Sequence, residues 1–509
     1  MDKRITRRHF LQAGTIVATG SALFGCGGSS SRHTKQAVVI GSGFGGAVTA
    51  LRLGQAGIKT MVLERGRSWT LQGPDTFPLM SGSNDGRTTW LGTTSALIGS
   101  GAVPRYTGMI ERVTGDTIDA VCGAGVGGGS LVYGSVLLQP QRDVFNQVLP
   151  FIDYDEMATI YYPRVLSHIS GGPIPDDILA APEYRADVEF IQTCTAAGFE
   201  IIRTNVGFNW NTIRSELSGA IPKAASIGEY VYGCNSGAKN TLDKNYLADA
   251  TATGNVTIQP LRVVTSIRER RNGLYEVHGD AIDTEGNVVE TFIVVADYVF
   301  LAAGSLNTSK LMLKCQASGD LPGLNQWVGK NWGTNGDELL FRVSATPVSG
   351  AQGGPPAVAS IDVNNTIKPV TFMHSPASVP IDLQLQLAMS VPDQLGTMSY
   401  DASSDTASIH WPLDAQVQAR AANQQSFLKM IAAGGGAPLT IGAKPTIWHP
   451  VGGMTMGFAC SELGEVHGQQ NMFVVDGSLM PGSTACANPS LTIAANAERI
   501  MDTLIPRLR

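Results

Sequence analysis

Gly41, Gly43 and Gly46, followed by Glu64, are the residues of this chain whose types and spacing most directly specify a chemistry. They belong to the run Val38-Val39-Ile40-Gly41-Ser42-Gly43-Phe44-Gly45-Gly46, and the chemistry is the holding of a dinucleotide. Gly41 allows a tight turn, Gly43 lets a pyrophosphate reach the backbone, and Gly46 lets helix and strand pack closely, with Ser42 and Phe44 inside the same turn. A helix that starts there offers its free N–H groups to phosphates. Glu64 ends a second apolar run about 20 residues further on, where a carboxylate can accept hydrogen bonds from ribose hydroxyls. A second cluster, residues 123–130, ends in Gly127, Gly128, Gly129 and Ser130. It can pass close to a flat ligand without side-chain obstruction, and its N–H groups can reach phosphate or ring oxygens; a plain turn would read the same. A third, Asn488-Pro489-Ser490, opens a helical run whose positive dipole end favours negative charge.

The elements that must position these residues are legible in part. Residues 36–65 form a first strand–helix–strand unit, and residues 70–120 are rich in loops. Strands are expected at 256–264 and at 298–303, with a turn at 283–287 and a helix over 306–313. Between 340 and 420 apolar and polar residues alternate, as in Leu383-Gln-Leu-Gln-Leu387. That period predicts an antiparallel sheet with one buried face, either a wall for an apolar substrate or plain scaffold. A strand over 472–475 ends in Asp476-Gly477, and a helix follows Pro489. The fold class is therefore mixed α/β: a Rossmann-like dinucleotide-binding domain beside a substrate domain on a large, mostly antiparallel sheet. The binding domain is discontinuous, over 36–70, 225–320 and 455–509; the substrate domain takes 71–224 and 321–454.

A chain of 509 residues with net charge −6 and 43% hydrophobic residues can bury a large core and has no basic surplus for nucleic acid. Its seven cysteines lack metal-ligand spacing, so no metal site is expected. Cys122, Cys194, Cys234, Cys315, Cys460 and Cys486 read as buried thiols, with one or two disulfides as the alternative. Residues 1–35 read as an export segment. Thr6-Arg7-Arg8-His9-Phe10-Leu11-Gln12 is a twin-arginine pattern with an apolar stretch over 13–24. That route carries folded proteins, which suits one that must take up its cofactor first. Leu23-Phe24-Gly25-Cys26 resembles a lipoprotein processing site, although Phe24 is larger than the usual small residue; Gly27-Gly-Ser-Ser-Ser31 reads as a flexible tether. The expected location is periplasmic, lipid-anchored to a membrane through Cys26, or secreted.

From Gln36 onwards the chain resembles the glucose–methanol–choline (GMC) oxidoreductase family, nearest to its non-covalent FAD cholesterol oxidases. The resemblance rests on the first glycine run with Glu64, on Gly125-Val-Gly-Gly-Gly-Ser-Leu-Val, Asn240-Thr-Leu-Asp-Lys-Asn-Tyr-Leu, Ala303-Gly-Ser-Leu, Val328-Gly-Lys-Asn-Trp-Gly-Thr-Asn-Gly, Trp448-His-Pro-Val-Gly-Gly and Asp476-Gly-Ser-Leu-Met-Pro-Gly-Ser, and on their order. It implies FAD as cofactor. Gly41, Gly43, Gly46 and Glu64 would bind its ADP half, and Gly127, Gly128, Gly129 and Ser130 would run along its phosphates and ring. Val264 would hold the adenine through its backbone, with Asp476 and Gly477 near the ribityl chain and pyrophosphate. His449 and Asn488 would be the catalytic pair at the reacting alcohol.

That pair suits alcohol oxidation, which removes a hydride from carbon and a proton from oxygen. Histidine can take the proton near neutral pH, and the Asn488 amide can orient the oxygen, even if Asn488 also caps its helix. The implied activity is oxidation of a 3β-hydroxysteroid or similar bulky apolar alcohol to the ketone, with O2 reduced to H2O2. One alternative is a dehydrogenase of the same fold that passes electrons to a membrane quinone or cytochrome. Another is a non-catalytic flavin lipoprotein. A nicotinamide-dependent reductase is disfavoured by the lack of a second glycine fingerprint. Three positions depart from the cholesterol oxidase pattern. Pro380 falls where the isomerase glutamate belongs, with Asp382 the nearest carboxylate; Tyr133 replaces an asparagine near the flavin; Val136 replaces a methionine of the sterol pocket. Isomerisation is accordingly expected to be weak or absent.

Overall fold

The computed structural model describes residues 36–80, 85–97, 101–378, 382–440, 442 and 444–508. The twin-arginine segment, Cys26 and its tether lie outside the described residues, as does Pro380.

Five parallel strands form the first sheet: β1 (Gln36–Ile40), β2 (Lys59–Leu63), β3 (Val256–Gln259), β4 (Tyr298–Leu301) and β5 (Met472–Val474). Their order is β5-β4-β1-β2-β3, every pair parallel. This is the doubly wound order in which ligands lie at the carboxyl ends of the strands, where the order reverses next to β1. A central parallel strand is covered on both faces and so reads as an unbroken apolar run; Val38 and Val39 are fully buried. Helix α1 (Phe44–Gln55) leaves the end of β1, helix α2 (Gly304–Ser318) follows β4, and the C-terminal helix α3 (Pro489–Leu508) packs on α1. Strands, turns and helices thus lie where the apolar periods put them.

The second sheet has six strands, all paired antiparallel, in the order Ala437–Leu439, Glu338–Val343, Leu383–Met389, Val370–His374, Val358–Asp362 and Glu200–Arg203. Its alternation was expected to mean one buried face. Instead both faces are buried. Leu383, Leu385 and Leu387 face a cavity shared with the first sheet. Gln384 and Gln386, on the opposite face, are fully buried too. Most of their polar atoms find partners in one another: Arg342 donates to Glu189 and to Gln384 (2.6 Å), Gln384 donates to Glu189 (2.7 Å) and Gln386 donates to Gln384 (3.2 Å), while Gln386 Oε1 and Arg342 Nε stay unpaired. The helix Arg185–Ala196, which carries Glu189, closes over this face with Val417–Gly434, so the outer half of the alternation is interior. Among the described residues no helix is long and apolar enough to cross a membrane, and the six described cysteines are free thiols.

Candidate active site

The turn after β1 is shaped by contacts that exclude a side chain. Gly41 has φ +100°, and a Cβ on it would lie 2.3 Å from the Ala302 carbonyl oxygen at the end of β4. A Cβ on Gly46 would lie 2.2 Å from the Gly41 carbonyl oxygen. Gly45, which the sequence reading did not single out, is tighter still, 1.8 Å from the Val475 carbonyl oxygen. Gly43 differs: a Cβ there would meet nothing within 4 Å. Its space belongs to the cavity, and the N-terminus of α1 opens onto it without an acidic residue in its first turn. A phosphate fits that donor set.

Glu64 is buried and lines the same cavity. Its Oε2 accepts from the Ser42 amide (3.0 Å) and hydroxyl (2.6 Å), and its Oε1 from the Gly66 amide (2.8 Å). Oε1, which accepts only once, keeps a lone pair for a ribose hydroxyl. Arg65 and Asn307, both unforeseen, complete this end by donating to Glu111 at 2.7 and 3.1 Å, and the Arg65 guanidinium lies over Trp90. Val264 is in the wall on the strand Arg262–Glu269, whose pairing slips between His278 and Gly279 so that Thr265 has no ladder partner. Such a bulge frees backbone groups to meet a ligand.

Gly128 and Gly129 border the cavity, and Gly128 packs on Gly43. Gly127 and Ser130, expected at the cofactor, stand behind the wall. The Gly127 amide donates to the Ser42 hydroxyl (3.0 Å), while the Ser130 hydroxyl donates to the Gly127 carbonyl (2.7 Å) and accepts from the Leu242 amide (3.0 Å). Their polar groups are spent on fixing the loop's shape. Asp476 lines the cavity with Gly477. Burial pushes its carboxyl up, against the pull of hydrogen bonds from Ser478 and Thr308 and from the Gly304 amide. It ties the end of β5 to the start of α2.

His449 and Asn488 meet at the same cavity, beside Pro489. Two residues that the sequence reading left without a role bring them there, both from the turn before the strand Glu338–Val343. Asp337 is nearly fully buried, and its carboxylate accepts from the backbone amides of Trp448 (3.2 Å) and His449 (3.0 Å) and from His449 Nδ1 (2.9 Å). Because a carboxylate only accepts, Nδ1 carries the proton and Nε2 presents its lone pair. Asn488 Nδ2 lies 3.4 Å from that Nε2, and Asn488 Oδ1 has no partner. Asn335 governs the other half of the pair. Its Oδ1 accepts from the Thr484 amide (2.8 Å), and its Nδ2 donates to the Ala487 carbonyl (2.9 Å). Between these clamps Ala485 and Cys486 hold φ of +62° and +58°, a conformation that costs roughly 1–3 kcal/mol per residue and persists only when over-determined by its surroundings. The available signal was the Asn335-Gly336-Asp337 turn itself, which marks a sharp reversal but not what it grips.

The cavity has a volume of about 760 Å³ and runs from the Gly41–Glu64 end to His449, Asn488 and the leucines of the second sheet. Tyr133 and Val136 both line it, with the Tyr133 ring set edge-on to Phe44 at 5.3 Å. Asp382 does not. Its Oδ1 accepts from the amides of Val348 (2.7 Å) and Ser349 (2.8 Å), and these bonds hold its carboxyl below the usual range. It anchors a turn. The cradle fits FAD: glycines at the pyrophosphate, a carboxylate for the ribose and a helix N-terminus at Pro489.

The N-terminal model of the GMC oxidoreductase family matches residues 21–333, and its C-terminal model matches residues 415–497. A cholesterol oxidase of Mycobacterium tuberculosis (strain CDC 1551 / Oshkosh) is 30% identical over 319 residues, 60% of this chain and 52% of that protein. The match thus spans about half the length of that relative. A cholesterol oxidase of Acinetobacter baumannii is 24% identical over 91% of this chain and 93% of its own length. A long-chain-alcohol oxidase of Arabidopsis thaliana is 25% identical over 54% of this chain and 33% of its own. Among solved structures, pyridoxine 4-oxidase from Mesorbium loti superimposes with TM-score 0.62 at 17% identity, over 92% of this chain and 99% of that one. The chain belongs to the GMC oxidoreductase family, and FAD is the dinucleotide that its cradle is built to hold.

Proposed function

We propose that this protein oxidises a bulky apolar secondary alcohol of the 3β-hydroxysteroid type to the ketone, with O2 as the acceptor and H2O2 as the product. The observation that carries the reading is the position of His449 and Asn488, gripped by Asp337 and Asn335, where the dinucleotide cradle meets the leucine wall of the second sheet. Bound FAD supplies the two-electron acceptor. The chain does the rest. The Nε2 lone pair of His449 takes the hydroxyl proton as the carbon gives up its hydride, and Asp337 stabilises the imidazolium so formed. Asn488 donates from Nδ2 to the alcohol oxygen and fixes its direction. Leu383, Leu385 and Leu387 cover the substrate's skeleton and keep water out. Positioning of this kind accounts for several kcal/mol of barrier, within the ~7–11 available from oriented reactants.

Weak isomerisation belongs to the same reading. Among the described residues the carboxylates of the cavity wall are Glu64, Glu111, Asp405 and Asp476, and none is on the second sheet. Asp382 is committed to Val348 and Ser349. Export by the twin-arginine route, with a lipid on Cys26, would place the enzyme where apolar substrates partition.

The test is a panel of sterols, long-chain alcohols and sugars given to the FAD-loaded protein without oxygen, with bleaching of the flavin band recorded. Sterols are expected to bleach it and sugars not. Oxidation in air should release H2O2, and the early product should be the unconjugated ketone. His449→Ala should lower kcat by about 10²–10⁴ while retaining the yellow cofactor. Bleaching by sugars alone would overturn the substrate class; turnover only with an artificial acceptor would replace the oxidase by a dehydrogenase.

A further inference from the structure

Outside the central cavity, a serine, a histidine and an aspartate stand in line on a surface hairpin. Its antiparallel strands, Thr397–Asp401 and Thr406–His410, pair Thr397 with His410 and Ser399 with Ser408. Side chains alternate between its two faces. Met398 and Ile409 are buried in one apolar cluster with Trp332 and Trp411, and the Met398 amide donates to the Gly329 carbonyl (2.7 Å). The backbone is thereby anchored. Ser399, Ser408 and His410 occupy the exposed face. Ser399 Oγ lies 2.7 Å from His410 Nε2, and His410 Nδ1 lies 3.6 Å from Asp116 Oδ2. None of these three lines the cavity of His449 and Asn488.

Asp116 is fixed independently of the histidine. Its Oδ1 accepts from the amides of Thr117 (2.7 Å) and Trp411 (3.0 Å), and its own amide donates to the Ile409 carbonyl (3.1 Å). Oδ2 is left towards the imidazole. An anion on that side favours the proton on Nδ1, so Nε2 presents its lone pair and the Ser399 hydroxyl donates to it. A hydroxyl within hydrogen-bond reach of a base that a third group orients is the arrangement of an activated nucleophile. Thr397, on the same face and opposite His410, also borders an open depression of about 420 Å³ together with Trp327, Leu395 and Lys330. The Trp327 ring is set edge-on to Phe458 at 4.8 Å. That depression gives an apolar acyl chain a surface to lie on near the hydroxyl. On an exposed strand a developing oxyanion is met by water rather than by fixed donors, so the site suits acyl donors with a good leaving group.

We propose that Ser399, His410 and Asp116 form a second site, independent of the flavin, that takes the acyl group of an activated ester, aryl ester or thioester, and releases it to water. Ser399 Oγ bonds to the acyl carbon as its proton passes to His410 Nε2. The bond from that carbon to the phenolic oxygen or thiol sulfur breaks, and the leaving group departs with the electron pair and takes the proton from Nε2. Water then attacks the acyl carbon with the same base, the bond to Oγ breaks, and Ser399 recovers its proton. The net reaction is ester and water to acid and phenol or thiol, with no change of oxidation state. Asp116 is a positioning residue that acts through His410.

The test gives the FAD-loaded full chain p-nitrophenyl butyrate and, separately, the phenyl thioester of butyric acid, quenches in acid and maps the butyryl group by peptide mass spectrometry. Ser408, exposed on the same face and paired opposite Ser399, is the internal standard for ordinary hydroxyl reactivity. With at least one ester, Ser399 should carry about tenfold more butyryl than Ser408, or a larger excess, and His410→Ala should bring the ratio to about one. Asp116→Asn keeps an acceptor for both amides but turns a donor towards Nδ1, which demands the wrong tautomer. It should slow acylation of Ser399 by about tenfold or more without a change in melting temperature. The two serines are compared within one chain, so a variant of altered stability still reports. Equal butyryl on both serines of the native chain with both esters, a ratio retained in His410→Ala, or a native rate in Asp116→Asn overturns the proposal. If no acyl-serine accumulates, turnover decides. Release of p-nitrophenolate or thiophenol that is lost in both Ser399→Ala and His410→Ala supports the proposal, and release unchanged in either variant overturns it.

Discussion

Asp337 decides what His449 can do. A histidine in a loop presents either nitrogen; one held by a buried carboxylate at Nδ1 presents Nε2 alone. The same carboxylate grips the backbone at Trp448 and His449, so it fixes the ring's position as well as its tautomer. Asp337→Asn removes the negative charge and forces the amide to oppose a donor to a donor at one of these contacts. The variant should therefore keep its yellow cofactor while kcat falls by about 10²–10⁴, the usual cost of misplacing a proton acceptor. Steady-state kinetics beside the flavin spectrum check this. An unchanged kcat would mean that Asp337 does not position His449.

The strand–turn–helix of β1 and α1 separates glycines that serve packing from a glycine that serves the ligand. Gly45→Ala drives a methyl into the Val475 carbonyl. It should destabilise the apoprotein by about 1–3 kcal/mol, the usual cost of overpacking, seen as a lower melting temperature without cofactor. Gly43→Ala meets no protein atom. Its apoprotein should melt as the native one does, while FAD binding weakens. Equal melting losses in the two variants would refute the assignment of that space to the cofactor. A second element-scale device is Lys239, buried behind the glycine loop. Its amino nitrogen lies within hydrogen-bond distance of the carbonyls of Leu131 (3.0 Å), Tyr133 (2.9 Å) and Tyr230 (2.5 Å), pinning the loop's end to the cavity wall. Burial with no carboxylate beside it pulls its pKa down to about 7. The unfolded chain, with lysine near ~10.4, therefore binds more protons between the two values, so this residue makes stability rise with pH across that window. Lys239→Met should flatten the rise and, by orphaning three carbonyls, lower the melting temperature throughout. Denaturant titrations from pH 6 to 10 measure both.

At the scale of the whole molecule, the cavity is the seam between the two sheets. The first sheet gathers strands from the beginning, middle and end of the chain, and the cavity beside it is lined by residues from Gly41 to Pro489. FAD should therefore act as a global staple. Stripping it should lower the melting temperature, and adding it back at about 1,000 times its Kd should restore about 4 kcal/mol. Calorimetry of the apoprotein against a series of FAD concentrations gives the slope. A melting temperature indifferent to FAD would mean that the cradle forms its structure without reference to the cofactor.

The sequence by itself determined the local parts: the glycine turn with Glu64, the buried strands, the helix after Pro489 and the alternation of 383–387. Each of these follows from backbone geometry or side-chain period over a few residues. His449 and Asn488 were visible only through the surrounding motifs, since a lone histidine and a lone asparagine carry no signal of their own. Asn335 stood inside a motif that gave it no role, and nothing marked Asp337 or Lys239. Their roles consist of bonds to residues distant along the chain, such as Asp337 to His449, which are 112 positions apart. The burial of Gln384 and Gln386 was likewise set by what packs against them, because a polar face is solvent-exposed or interior according to its neighbours. Only tertiary structure decided these, since a hydrogen bond between distant residues exists only once the chain has closed the loop between them.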